Sequence, residues 1–199
     1  EGSTAHGFTT YVLVQNPNDT PATVDVTYMT ATGPTPQDPF EMPANSRKTI
    51  RVNDVLPDAD FSTTVEADKP IVAERAMYWM PDTLGEACHD SIALSSTHGS
   101  FYFPDGQTSN GYETYTLVGN PNSKAVTVRV TYLKRDGTGT EMFDAEIPAK
   151  SRATFNMAKK VKDGRASITV TCLNSGKKIT AERSMYWNNR GAGTSTIGG

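Results

Sequence analysis

The sequence predicts an all-β protein built as two tandem Greek-key β-sandwiches. Three observations carry this. Ala73-Glu74-Arg75-Ala76-Met77-Tyr78-Trp79 returns as Ala181-Glu182-Arg183-Ser184-Met185-Tyr186-Trp187 with six of seven residues identical, so the 199 residues are two copies of one unit. The composition, with 27 threonines, 16 glycines and 12 prolines, favours strands joined by turns. Each copy holds about seven short strand-like runs in roughly 100 residues, the pattern of an immunoglobulin-like sandwich. The antibody Cys-Trp-Cys spacing is absent, so only the architecture is implied. The copies are assigned to residues 1–97 and 98–199, each long enough to bury its own core.

The duplicated stretch reads as a strand. With period two, Ile71, Ala73, Arg75, Met77 and Trp79 share one face. In the second copy Ile179, Ala181, Arg183, Met185 and Trp187 suit a core, while Thr180, Glu182, Ser184 and Tyr186 suit water. Trp79 and Trp187 are therefore expected to anchor the two cores. Arg75 and Arg183 then point inward and need partners, because an unpaired buried guanidinium is costly.

In chain order, Thr10 to Val14 and Thr114 to Val118 are short apolar runs ending in Asn16-Pro17-Asn18 and Asn120-Pro121-Asn122, a turn signal. Thr23 to Tyr28 and Thr127 to Tyr132 alternate as half-buried antiparallel strands, with Asp25 and Arg129 on the wet face. Turns follow at Ala31 to Pro36 and at Arg135-Asp136-Gly137-Thr138, the latter a hairpin signal. Phe40-Glu41-Met42 and Ala145-Glu146-Ile147 lead into Pro-Ala-x-Ser-Arg corners at Pro43 and Pro148, then into strands Thr49 to Val52 and Thr154 to Met157. The copies diverge next: Asn53 to Asp60 is an acidic loop, Lys159 to Arg165 a basic one. Strands return at Ser62 to Ala67 and Ser167 to Cys172. The copies close through Ser91 to Leu94 and Gly191 to Ile197. Phe101, Phe103 and Asp105 alternate onto one face just before the second copy, and Glu1-Gly2 aligns with Asp105-Gly106. This makes Asp105 a candidate ion-pair partner for Arg183, and Glu1 for Arg75. The competing reading lets the arginines snorkel to a sheet edge.

The net charge of −3 conceals an asymmetry: residues 1–96 carry 5 Lys+Arg and 14 Asp+Glu, a balance of −9, and residues 97–199 carry 14 and 8, a balance of +6. Opposite charges on neighbouring modules favour a contact weakened by salt; drift on two solvated surfaces explains them equally well. No apolar run reaches the ~18 residues of a membrane helix. The chain opens inside a motif, as a piece of a longer protein would, so the absence of a signal peptide is uninformative. Cys88 and Cys172 lie in different copies and read as free thiols.

Nothing in the sequence assembles a reaction centre, and no cofactor, metal or nucleic-acid partner is expected. Cys88-His89-Asp90 resembles a nucleophile with base and orienter, but neighbouring residues point apart and the second copy lacks it, so it reads as a loop. Cys88, His89 and His98 lack a fourth zinc ligand, and Asp54, Asp58 and Asp60 lack the calcium-loop spacing. Lys159, Lys160, Lys162 and Arg165 could hold a polyanion such as a wall polymer, or simply be solvated. Tyr78 and Tyr186, placed on the wet face, could stack on a sugar or pack across strands.

The set Phe-Tyr-Phe-Pro-Asp-Gly-x-Thr, Leu-Val-x-Asn-Pro-Asn, Pro-Ala-x-Ser-Arg and Ala-Glu-Arg-x-Met-Tyr-Trp resembles an uncharacterised tandem repeat of secreted and cell-surface bacterial proteins. Pro104 and Asp105 depart from its usual Ala and Glu, and Cys88-His89-Asp90 from its usual small residues. The resemblance spans both copies. It implies a non-catalytic extracellular module in an array, a stalk or adhesive spacer whose partners are neighbouring repeats. The alternative is a carbohydrate- or cell-wall-polymer-binding module.

Overall fold

The computed structural model describes residues 1–80, 85–135 and 137–199. Asp136 of the anticipated Asp-Gly turn lies outside the described residues. The protein is all-β. The first copy supplies β1 (Gly2–Ser3), β2 (Thr9–Asn16), β3 (Ala22–Thr30), β4 (Gly33–Pro36), β5 (Phe40–Met42), β6 (Ser46–Arg51), β7 (Asp60–Ala67), β8 (Val72–Trp79) and β9 (Ala87–Ile92). The second supplies β10 (Ser100–Gln107), β11 (Glu113–Asn120), β12 (Val126–Lys134), β13 (Thr140–Ile147), β14 (Ser151–Asn156), β15 (Arg165–Cys172), β16 (Thr180–Trp187) and β17 (Ala192–Ile197).

Four antiparallel sheets result, each drawn from one copy: β1-β7-β3-β4 with β5 beside β3, β6-β2-β8-β9, β10-β15-β12-β13, and β14-β11-β16-β17. The inner pairings β11–β14 and β12–β15 join second to fifth and third to sixth strands, as in an immunoglobulin sandwich. The flanking strands attach differently: β10 pairs with β15, and β16 with β11. The β13 equivalent in the first copy is split into β4 and β5, because Pro34, Pro36 and Pro39 confine that segment to a broken sheet edge.

Period-two alternation builds the two cores. Val24, Val26 and Tyr28 are buried while Thr23 and Asp25 are exposed. They meet Val12 and Val14 from the facing sheet and Phe61 from the neighbouring β7. Phe101, Phe103, Val128, Val130 and Tyr132 do the same in the second copy. Arg129 stays outside, paired with Asp144 across the strands at 2.8 Å.

The Asn-Pro-Asn turn is a structural corner in both copies. Asn16 is fully buried, and its Nδ2 donates to the carbonyls of Thr20, Met42 and Pro43. Its Oδ1 accepts from Asn18 N and Nδ2. Asn120 repeats this with Lys124, Ile147, Pro148 and Asn122. Ser46 and Ser151 close the adjoining corner on the Pro43 and Pro148 carbonyls. The residue before each serine adopts a left-handed backbone: Asn45 with φ 51° and Lys150 with φ 50°.

Asn120→Ala leaves buried carbonyls without donors and is expected to cost about 2–4 kcal/mol, read by chemical denaturation. Lys150→Asn relieves a backbone that asparagine adopts more readily than lysine. A gain of a few tenths to ~1 kcal/mol is expected in the same assay.

Candidate functional site

Of the groups singled out by sequence, Glu1, Arg75 and Tyr186 converge where the first copy meets the second. The outer face of the β11–β16 sheet packs against the end of the first sandwich. Glu182, Ser184 and Tyr186, read from sequence as wet, are buried here, with Tyr186 6% exposed. The reason is a neighbour: that face is solvent-facing within its own sandwich but covered by the other copy.

Two further expectations change. Trp79 is buried, but in a cluster with Phe8, Met77 and Tyr186 that bridges the copies, not in the core of its own sandwich. Its Nε1 donates to the Arg190 carbonyl at 2.6 Å. Trp187 is only half-buried and stacks on Tyr112 at 5.6 Å, so it anchors no core.

Arg75 is the hub. Its guanidinium has five N–H groups, and five acceptors meet them. Nε donates to the Glu1 carbonyl at 2.6 Å; Nη1 to His89 Nδ1 at 2.7 Å and the His89 carbonyl at 3.2 Å. Nη2 reaches Glu182 Oε1 at 2.5 Å and Ser195 Oγ at 3.1 Å. Both side chains of the Arg75–Glu182 pair are over nine-tenths buried.

The sequence paired Arg75 with the Glu1 carboxylate and Arg183 with that of Asp105. The geometry corrects both: each guanidinium takes the main-chain oxygen instead. Arg183 Nη1 donates to the Asp105 carbonyl at 2.7 Å. The cause is a register shift between Phe103 and Gly106 in the β10–β15 ladder, which breaks strict alternation and leaves the Asp105 carboxylate 3.6 Å from Arg165. The Glu1 carboxylate goes to Arg152 at 2.6 Å, another bond between the copies. Arg152 was missed because only its partner, in the other copy, makes it buried.

His89 was also missed. Cys88-His89-Asp90 is not a loop but part of β9, where alternation sends Cys88 and Asp90 outward and His89 inward. With Nδ1 accepting from Arg75, the His89 ring is neutral and its Nε2–H faces the Tyr186 hydroxyl at 3.2 Å. Burial and then the Arg75 charge hold His89 down at about 4. Burial pushes the Tyr186 phenol up. Burial works to raise the Glu182 carboxyl, and the Arg75 charge beside it works to lower it. Beside this network lies a cavity of about 140 Å³ bordered by Phe8, Tyr115 and Ser184.

The remaining candidates lie apart. Tyr78 is half-buried and packs edge-to-face on Tyr11 at 5.8 Å, on the outer face of the β2–β8 sheet. Lys159, Lys160 and Lys162 are exposed, while Arg165 donates to Gln107 at 2.9 Å. His98 sits on Phe101 and Ser96. Cys88 and Cys172 are free. Among the described residues no group of three His, Cys, Asp or Glu is placed to hold a metal.

The family described as Family of unknown function (DUF5719) matches residues 1–73, which ends as β8 begins. No curated protein matches the chain. A solved structure titled Crystal Structure of Thermotoga maritima 1070 is similar at 19% identity, covering 52% of this chain and 95% of its own, with a TM-score of 0.45.

The junction is expected to be acid-labile. The folded value of His89, about 4, lies below the ordinary 6.5, so the undocked state binds the proton more tightly. Stability from this group is intact above pH 6.5 and falls as pH drops from there toward 4, by roughly 3 kcal/mol in total. Quenching of Trp79, followed in a Trp187→Phe background, reports the loss; His89→Gln flattens the profile in that window. Glu182→Gln strips Arg75 of its counter-charge and is expected to cost about 3–5 kcal/mol. A cost within error of zero in denaturation would remove Arg75 from the role of hub.

Proposed function

We propose that the chain is a pair of non-catalytic structural or adhesive modules from a bacterial extracellular or cell-surface protein, acting as a stalk or spacer of fixed angle. One observation carries this reading. The polar groups that could have formed a reactive centre are spent on one another at the junction, with all five Arg75 N–H groups matched. Groups so engaged hold two bodies in one orientation. The modules correspond to residues 1–97 and 98–199 and have neighbouring repeats as partners. The uncharacterised family matched by the first copy is compatible with such a module.

A second reading, recognition of a glycan or wall polymer, rests on Tyr11 and Tyr78 bordering an open groove of about 540 Å³. The basic residues Lys159, Lys160 and Lys162 favour it less, because they stand without interleaved aromatics.

Two measurements on the full chain decide between these readings. Residual dipolar couplings are expected to fit a single orientation of the two copies at pH 7, and to lose that fit in the Glu182→Gln variant. Glycan and wall-polymer binding is expected to be absent at physiological salt, or to appear only at low salt and vanish as ions screen it. Saturable binding at physiological salt would replace the spacer reading with recognition.

A further inference from the structure

The face that the second copy uses at the junction exists again, uncovered, on the first. Strand registers superimpose the two: Tyr115 opposite Ser184 and Leu117 opposite Glu182 in the covered face, Tyr11 opposite Ala76 and Leu13 opposite Glu74 in the open one. Arg152 beside Gly119 corresponds to Arg47 beside Gln15. Tyr78 stands in the place of Tyr186. The open face also carries apolar side chains in water: Val72 is 44% exposed, Ile92 64% and Met80 67%. Large apolar groups gathered on one face mark an interaction surface. Glu74, the counterpart of Glu182, has no ion-pair partner among the described residues.

The complementary end is duplicated too. Phe8, Arg75, Met77 and Trp79 dock onto the covered face; Tyr112, Arg183, Met185 and Trp187 hold the same places at the free end of the second copy. There Trp187 is half-exposed on Tyr112. Arg183 is 9% exposed, with its Nε buried and unpartnered. Its Nη2 meets only the Thr196 hydroxyl, where Arg75 meets a carboxylate.

We propose that the open outer face of the β2–β8 sheet is a docking surface for the free end of a second copy of this chain, Arg183 reaching Glu74 as Arg75 reaches Glu182 within the chain. This goes beyond the spacer reading, since a fixed angle within one chain does not require it. The contact joins an end to a face, so it is heterologous and propagates head to tail instead of closing as a two-fold dimer. Charge favours it: the acidic first copy, −9 over residues 1–96, meets the basic second copy, +6 over residues 97–199. Three departures make it looser than the internal junction. Gln15 replaces Gly119, where an added Cβ would come 3.1 Å from Ser62. Thr194 replaces His89, and Arg165 replaces Asp60.

The test is complementation between two full-length variants. Glu74→Lys disables the face and leaves the end; Tyr112→Asp disables the end and leaves the face. Sedimentation velocity from about 10 μM to 1 mM at low salt is expected to show the parent chain growing beyond dimer. Each variant alone is expected to stay monomeric and their mixture to form one-to-one pairs. In the mixture, amide shifts are expected along β2 and β8 of Tyr112→Asp and around Trp187 of Glu74→Lys. A parent chain that stays monomeric at 1 mM overturns the proposal. So does a dimer that stops at two, association untouched by both substitutions, or wall-polymer fragments binding this face on a monomeric chain. Dipolar couplings on the same samples report the internal orientation separately, so loss of self-association is not confused with loss of the spacer geometry.

Discussion

The arrangement of the two copies depends on one buried ion pair, Arg75 with Glu182. Removing two such charges from water costs more than their attraction returns unless every remaining donor is met. Here the remaining donors of Arg75 are met by Glu1, His89 and Ser195. These acceptors come from β8's own surroundings and from the second copy's last strand, so the guanidinium is content in only one relative placement. The aromatic cluster of Phe8, Met77, Trp79 and Tyr186 supplies non-directional attraction; the ion pair supplies the direction.

The strands and the inner faces were legible because alternation is a local signal and each copy corroborates the other. Val24, Val26 and Tyr28, or Arg75 and Met77, could be placed inward from period two alone. The outer faces were not legible. Glu182-Ser184-Tyr186 and Glu74-Ala76-Tyr78 are nearly the same string, yet the first is buried and the second only half-buried. Only three-dimensional placement tells them apart. The Asp105 pairing failed for another reason: a bulge adds one residue to a strand, and counting by twos past it assigns the wrong face. His89 had a signal that was passed over, since Ala87 to Ile92 alternates and follows the duplicated strand.

The copies differ where one docks and the other is docked upon. Gly119 and Gly193 are tight points on the covered side: a Cβ at Gly193 would come within 3.0 Å of Trp79. The first copy has Gln15 at the Gly119 position. Elsewhere the duplication is close, down to the same three carbonyls around Asn16 and Asn120. Divergence at the contact, beside corners that are unchanged, is what separate demands on one fold would leave behind.

The segment between the copies is bound at both ends. Ala93 N donates to the Ala73 carbonyl at 2.9 Å, and His98 exchanges main-chain bonds with Ile179 at 2.9 and 3.1 Å. A tether this short sets the effective concentration of one copy around the other in the millimolar range or above. An interface of modest intrinsic strength is then saturated inside the chain and dilute outside it. The same chemistry can thus act as a permanent joint within the molecule and as a reversible, concentration-sensing one between molecules.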